Sequence, residues 1–437
     1  MRARLLRRGC KECRNIVIIP SYSKFFNRQT PTGFVAWVTG NIVNKISTFI
    51  CLFLFVTLDN AESASHESVS KPGRPTIELL QEGEIETQSE ESGNQVEELV
   101  CREDRVHTLL NNGHRIGFGR NTTGGADAAA ITTVTSLADS GPGTLREAIS
   151  GGGPVWVVFD KSIYGGTIFL DSPLRPPRNT TIDGRGIGMM AGITLAVTEK
   201  ATHAMLIREG NVLIHGITID GNNTGATGVM LRTGDDYWLD HVTITGFSKD
   251  DALAVGQGSQ PDSTSEVTIS NYHVYESDKG FLAGGELSYF DTYRTHRVTI
   301  FNSLLNARDR NPHISVKGRT HIFNNLIIPT AWTGIDIRHA AIAIVENNVI
   351  SGESTNVANS VVIGWSLPSS GRPTGHVILE NNEFTNGAGS EGSINPDSVG
   401  RFDIPYEYSL IDTNLVEDHV KRNAGAENAS FDIMVCD

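Results

Sequence analysis

The 437-residue chain is poor in cysteine, in aromatic residues and in long apolar runs. Its five cysteines fall at Cys10, Cys13, Cys51, Cys101 and Cys436. Cys10-x-x-Cys13 has no second pair with which to enclose a metal ion, so a thiolate metal site is set aside. Cys101 and Cys436 bracket the rest of the chain. They can pair in an oxidising compartment or stay as two thiols. The longest uncharged apolar run, Ile46 to Leu58, is too short to span a bilayer comfortably. Stable membrane insertion is therefore not expected. Cations are also scarce, 36 Lys and Arg against 50 Asp and Glu. Much of that imbalance comes from one segment: residues 62 to 100 carry ten Glu against Lys71 and Arg74. The net charge of -14 thus says little about any active site. That segment lacks sustained apolar periodicity and reads as a solvated linker or propeptide.

Ahead of it, Arg2, Arg4, Arg7, Arg8, Lys11, Arg14, Lys24, Arg28 and Lys45 make the first residues basic. The apolar run follows, and then Asn60-Ala61-Glu62-Ser63-Ala64, with small residues spaced as a cleavage site requires. The expected organisation is a signal peptide with an extended N-terminal region over 1–64, an acidic linker over 65–105, and a folded domain over 106–437. The long segment before the apolar run suggests a true start nearer Val43.

What the chain does have is glycine, 45 in all, and short runs of Val, Ile, Thr and Asn, a texture of strands and turns. The turn Asp139-Ser140-Gly141-Pro142-Gly143 leads to Thr144, placed to cap a short helix LREAIS with Glu147 as its capping-box partner. Such a helix can cover the open end of a sheet structure. Seven units then repeat one pattern, two short apolar strands meeting at a bend. The bends fall at Gly216, His241, Asn271, Asn302, Asn324, Asn347 and Asn381. Asn and Gly tolerate left-handed backbone geometry, and stacked Asn side chains can hydrogen-bond along a ladder, in which Asn324 is expected to take part. No unit buries its apolar face alone, so stacking must build the core. The expected fold is all-β: a single-stranded, right-handed parallel β-helix with a short N-terminal capping helix and a C-terminal extension. A β-sandwich of hairpins would explain the strands but not the recurring bend residue. After Asp403-Ile404-Pro405-Tyr406 the run SLIDTNLVEDHVKRNAGA presents Leu410, Leu415, Val416 and Val420 as an apolar face that would cover the last rungs.

Cations on successive units are the candidate chemistry: Lys279 in ESDKGFLAG, Arg310 in RDRNP and Arg338 in TGIDIRHA. A row of cations at rung spacing suits a polyanion with one carboxylate per sugar. Scattered surface charge is the plain alternative. Residues 307–325 hold the densest cluster, Arg308, Arg310, Lys317 and Arg319 beside Pro312. Trp332 can stack on a sugar or pack as an indole. His241, although it follows Asp240, occupies a bend and reads as structural. Asn121, Asn179, Asn222 and Asn428 sit in glycosylation sequons.

The GFG and TTGG opening, VTSLADSGPGTLREAI, Trp238-Leu239-Asp240-His241, Asp278-Lys279, Arg310-x-Pro312 followed by HIFNN, and the closing PYEYSL together resemble the pectate and pectin lyase family of secreted polysaccharide lyases. The resemblance covers about Gly117 to Gly425. It implies β-elimination on polygalacturonate: a base removes the C5 proton of a uronate, the C4 glycosidic oxygen leaves, and an unsaturated end results. It implies Arg310 as the base, an awkward one near neutral pH because guanidinium is a very weak acid. It implies Lys279 and Arg338 as ligands of substrate carboxylates, and calcium as charge neutraliser. The expected partner is acidic plant cell-wall polysaccharide, with no nucleic acid, the protein acting as a secreted monomer.

The departures from the family pattern are specific. Its second arginine after the proline is missing; Ser315, Val316 and Lys317 stand there, and Lys317 is the candidate replacement, without bidentate geometry. Of the calcium acids only Asp251 matches. The second falls on Val255, the upstream acid on Gly225 to Thr227, and a nearby basic residue is Gln257. Calcium takes six to eight oxygens, so one matched acid is not a site; Asp220, Asp250 or substrate carboxylates would have to complete it. A calcium-independent lyase acting on methylated pectin or another uronate polymer, and a β-helix that binds polysaccharide without cleaving it, remain open. A hydrolase is more distant, because Asp250 and Asp251 would point to opposite faces of a strand.

Overall fold

A computed structural model describes residues 109–110, 115–187, 192–256, 264–284, 296–315, 317–352, 362–365 and 373–431. The expected signal peptide and linker, all five cysteines and Gln257 lie outside these residues. Among the described residues no helix is long and apolar enough to cross a membrane.

The strands form three long parallel sheets of ten, nine and eight strands, and each turn of the chain visits the sheets in rotation. The bend between the first and second sheets is where the repeat was legible. Gly216, His241, Asn271, Asn302, Asn324, Asn347 and Asn381 all take φ between 48° and 65°, the left-handed geometry that Gly and Asn accept most readily. Because every rung bends at the same place, side chains stack in columns. Val157, Ile182, Ile214, Leu239, Ile269, Ile300, Ile322 and Val345 pair in register along the first sheet, and all lie in the central apolar core. Burying each such side chain contributes about 1.5–3 kcal/mol, so the column is a main source of stability.

The asparagine ladder is real but sits one residue later than the bend. Asn325 Nδ2 donates to Asn348 Oδ1 at 2.9 Å, and Asn348 Nδ2 donates to Asn382 Oδ1 at 2.9 Å. The backbone N–H of Ser303 extends the ladder onto Asn325 Oδ1 at 2.9 Å. The expectation for Asn324 is corrected accordingly. Its side chain turns outward, donates to Ser409 O at 2.9 Å and accepts from the Ile411 N–H at 3.0 Å. Asn347 likewise donates to Ile411 O at 3.0 Å. In the pairs Asn324-Asn325 and Asn347-Asn348, then, the first residue makes the bend and ties down the C-terminal segment, and the second satisfies buried backbone groups inside.

Terminal segments cover two of the outer faces. Residues 117–125 cross the first sheet, where the Phe118 and Gly119 N–H groups donate to Thr299 Oγ1 and Thr268 Oγ1 at 3.0 and 2.9 Å. A Cβ on Gly119 would lie 2.3 Å from Tyr237 O, so this close crossing requires glycine. Helix α1, Leu145–Ala148, follows the cap at Thr144 and buries Leu145 in the core. Glu147 Oε2 reaches back to the Gly143 N–H at 2.6 Å, one residue earlier than a standard capping box. Helix α2, Thr413–Asn423, packs Val416 and Val420 on Leu326 and Val349 of the second sheet. The expected apolar face is thus narrower than the sequence suggested: Leu410 and Leu415 are exposed, and α2 lies along the flank of the rungs.

Candidate active site

The third sheet carries the site. Its successive strands include Asp251–Val255, Lys279–Gly284, His313–Ser315 and Ile335–Arg338. Asp251 and Lys279 open their strands and pair in register, and Lys279 bridges to Asp309 in the next rung. Further along that pair of rungs, Leu282 pairs with His313, so the register slips by one residue. Arg310 occupies the slip, with φ of 61° in a non-glycine residue. Such a backbone costs of order 1–3 kcal/mol and persists only where its surroundings enforce it. Here they do. The buried Asn311 side chain accepts from the Ala307 N–H and donates to Ala307 O, both at 3.1 Å, which closes the loop from 307 to 311. Gly280 lets this loop approach, since a Cβ there would lie 2.8 Å from Asn311 Oδ1.

The Arg310 side chain reaches Asp251, Nη1 to Oδ1 at 2.8 Å. Asp251 is fully buried, and its Oδ2 has no hydrogen-bond partner. Burial pushes its carboxyl up to about 6, against the pull of Arg310 and Lys279. Lys279 Nζ donates to Lys249 O at 2.9 Å. Neighbouring groups are committed elsewhere. Arg308 Nη1 meets Asp278 Oδ1 at 2.5 Å, and Asp309 Oδ1 accepts from Thr333 Oγ1 at 2.6 Å. Arg308 also lies 5.9 Å from the ring of Trp332, which is 59 % exposed and therefore not a packed core indole. A crevice of about 570 Å³ adjoins this corner, lined by Ser248, Tyr275, Asp278, Asn306 and Arg308 among others.

The expected row of three cations is a pair. Arg338 roots at the far end of its strand, and its guanidinium grips Asp336 with Nε to Oδ1 at 2.9 Å and Nη2 to Oδ2 at 2.5 Å. It also lies 4.4 Å above the Trp365 ring, whose Nε1 donates to Asp336 Oδ1 at 2.9 Å. Asp336 pairs in register with His313, which sits among the charges of Asp336, Arg338 and Arg310. Burial drives the His313 imidazole down to about 4, so it is neutral near pH 7. Lys317 is exposed on the turn beyond the His313–Ser315 strand, and the structure does not bring it beside Arg310. Sequence reasoning missed His313, Asp336 and Trp365. For Asp336 the signal was available in the alternation of Ile-Asp-Ile-Arg, which puts Asp336 and Arg338 on one face.

The positions expected to hold calcium do not form a carboxylate cage among the described residues. Thr227 stands upstream and donates Oγ1 to Asp250 Oδ2 at 2.6 Å. Asp250 Oδ1 accepts from the Asp251 N–H at 2.9 Å, Asp220 Oδ1 from the Asn222 N–H at 2.7 Å, and Asp251 Oδ1 is taken by Arg310. Val255 is buried in the apolar core. A resident calcium ion, wanting six to eight oxygens, does not fit this set.

Fold and site together define a parallel β-helix protein with a cationic, aspartate-buttressed strip at one sheet edge. The chain belongs to the pectate lyase family, whose model matches residues 112–429. A probable pectate lyase 6 of Arabidopsis thaliana is 30% identical over 239 residues, 48% of each chain. A pectate lyase of Lilium longiflorum is 31% identical over 233 residues, 48% of this chain and 50% of its own. The chain spans about half the length of these relatives. Among solved structures, Jun a 1, the major allergen of cedar pollen, aligns with TM-score 0.52 at 22% identity, covering 72% of this chain and 92% of its own. That likeness bears on the fold.

Proposed function

We propose that this protein is a secreted lyase that cleaves polygalacturonate or a related uronate polymer by β-elimination, with Arg310 as the proton acceptor. The supporting observation is the Arg310 corner itself: a guanidinium held out of the strand by a left-handed residue, anchored to buried Asp251 and set beside Lys279. The uronate carboxylate binds Lys279 and withdraws charge from C5. With the Arg310 side chain having first given one proton to solvent at alkaline pH, the C5–H bond breaks, its proton passes to the neutral guanidine and restores the guanidinium, and the electron pair forms the C4=C5 double bond. The C4–O bond breaks, and the departing oxygen takes a proton from solvent. Arg338 is the candidate ligand for a second carboxylate, at the other edge of the sheet. Family membership supports the reaction class, and the run from Ile46 to Leu58 supports secretion.

A second reading, a lyase that needs no resident calcium and accepts methylated pectin, is favoured by one observation: Val255 lies in the core where an acid was expected. Esterified carboxyls carry no charge and need less neutralisation. Purified protein is to be incubated with polygalacturonate and with methylated pectin, each with calcium or with chelator, while ultraviolet absorbance follows the unsaturated product. Absorbance that survives chelation favours the second reading, and absorbance lost with chelator favours the first. Binding without absorbance on any uronate polymer, at neutral or alkaline pH, leaves a polysaccharide-binding β-helix.

A further inference from the structure

Outside the Arg310 corner, one polar cluster has a geometry that the fold alone does not require. His215 ends the strand Val212–His215, Asp240 ends the next strand of the first sheet, and the two pair in register. His241 follows at the bend with φ of 48°, a position that asparagine holds in five of the seven units. His215 Nδ1 and His241 Nδ1 each lie 2.9 Å from the same atom, Asp240 Oδ2. The other carboxylate oxygen is already committed: Oδ1 accepts from Ser270 Oγ at 2.5 Å and Asn271 Nδ2 at 2.9 Å. The carboxylate is therefore fixed, with Oδ2 facing the two nitrogens.

His215 is 5 % exposed, and its Nδ1 has no hydrogen bond of acceptable geometry despite the short approach to Asp240. A buried nitrogen left in that state is costly unless its lone pair has another use. Two imidazoles and one oriented carboxylate are the donors of a first-row transition ion. Around an ion with bonds of about 2.0–2.2 Å, adjacent donors lie roughly 3 Å apart; here each Nδ1 is 2.9 Å from Asp240 Oδ2, and the three donor atoms all lie within 4.8 Å of one another. Calcium would not choose two nitrogen donors.

We propose that His215, Asp240 and His241 bind one divalent transition ion, zinc by preference, with a fourth position open to water. The ion joins two rungs beneath the C-terminal segment. There Glu427 bonds Thr243 Oγ1 at 2.9 Å and the Gly425 N–H bonds Asn271 O at 2.7 Å. Two further charges face the cluster, Glu427 and an Arg185 whose own charge is matched by Asp183 at 2.7 Å. Ser270 and Asn271 orient the carboxylate as outer-layer partners do in metal centres.

The full chain, stripped with chelator and desalted, is to be titrated with Zn²⁺ by calorimetry and with Co²⁺ by visible absorption. The expected result is one equivalent bound and a thermal midpoint that rises with zinc. His241→Asn keeps a residue suited to the left-handed bend but removes a ligand, and His215→Gln removes the other imidazole. Each is expected to weaken zinc binding more than about 100-fold, because even outer-layer changes cost ten- to 100-fold. Circular dichroism and the metal-free midpoint confirm folding of each variant. No stoichiometric binding by the parent chain, binding unchanged in both folded variants, or a thiolate-to-cobalt band pointing to the cysteines would overturn the proposal.

Discussion

Two arginine–aspartate pairs on the third sheet use the same groups to opposite effect. Arg338 is locked: both carboxylate oxygens of Asp336 are engaged, and Trp365 stacks on the guanidinium while donating to the same aspartate. Arg310 is leashed by one bond to Asp251, whose second oxygen is unpartnered, and its backbone is held in a strained conformation. A bidentate, stacked pair resists rearrangement, whereas a single bond at the end of a strained loop lets the guanidinium shift when an anionic ligand arrives. Under the proposed lyase reaction, the leashed Arg310 suits proton transfer and the locked Arg338 suits a fixed charge facing a substrate carboxylate.

The comparison breaks most directly through Arg310→Ala, which should lower turnover on polygalacturonate by about 10²- to 10⁴-fold, the usual contribution of a positioned base. It also takes the partner from the buried Asp251 carboxyl, so its unfolding midpoint should fall by the loss of that one charge-assisted bond, about 1.5–3 kcal/mol. Arg338→Ala should weigh more on the fold than on turnover. It strands the buried Asp336 charge and should cost about 3–5 kcal/mol of stability in denaturant unfolding, with a smaller direct effect on turnover. Next in size is Asp251→Asn, which weakens a charge-assisted bond of about 1.5–3 kcal/mol and should lower turnover by about ten- to 100-fold. The same contact predicts a pH signature. With the Asp251 carboxyl pushed up to about 6, protonation below that value releases Arg310, so turnover should fall through that window, and Asp251→Asn should flatten that limb of the profile. The sign for stability is opposite. Between the ordinary carboxyl value and about 6 the folded protein retains a proton that the unfolded chain has lost, so this group alone makes folding less favourable as pH rises. Lys317→Ala, on an exposed turn, should change turnover and stability least, within about 0.5 kcal/mol for the fold.

Much of the fold was legible because one physical demand, a left-handed bend on every rung, selects one residue type in one place. All seven predicted bends satisfy it, including His241. The site was legible only in part. Arg310, Lys279 and Asp251 come together as neighbours, but Arg338 and Lys317 do not join them in a row. Spacing along the chain cannot reveal a one-residue slip such as the one between Lys279 with Asp309 and Leu282 with His313, because the slip exists only in the pairing of two rungs. The ladder was misassigned by one residue for a similar reason. Adjacent asparagines look alike in sequence, and only the inward or outward direction of each side chain separates Asn324 from Asn325. The apolar face of the C-terminal segment was read too wide because Leu410 and Leu415 fit an apolar stripe yet stay exposed.

In the proposed reaction Arg310 is the group that removes the C5 proton. The most direct test is the initial rate of ultraviolet absorbance from unsaturated product on polygalacturonate at alkaline pH, for the parent protein, Arg310→Ala and Arg338→Ala side by side. The account predicts a clear signal from the parent, a signal from Arg338→Ala wherever it remains folded, and a loss of about 10²-fold or more in Arg310→Ala. A folded Arg310→Ala that retained most of the parent rate would contradict it and place the base elsewhere on the sheet.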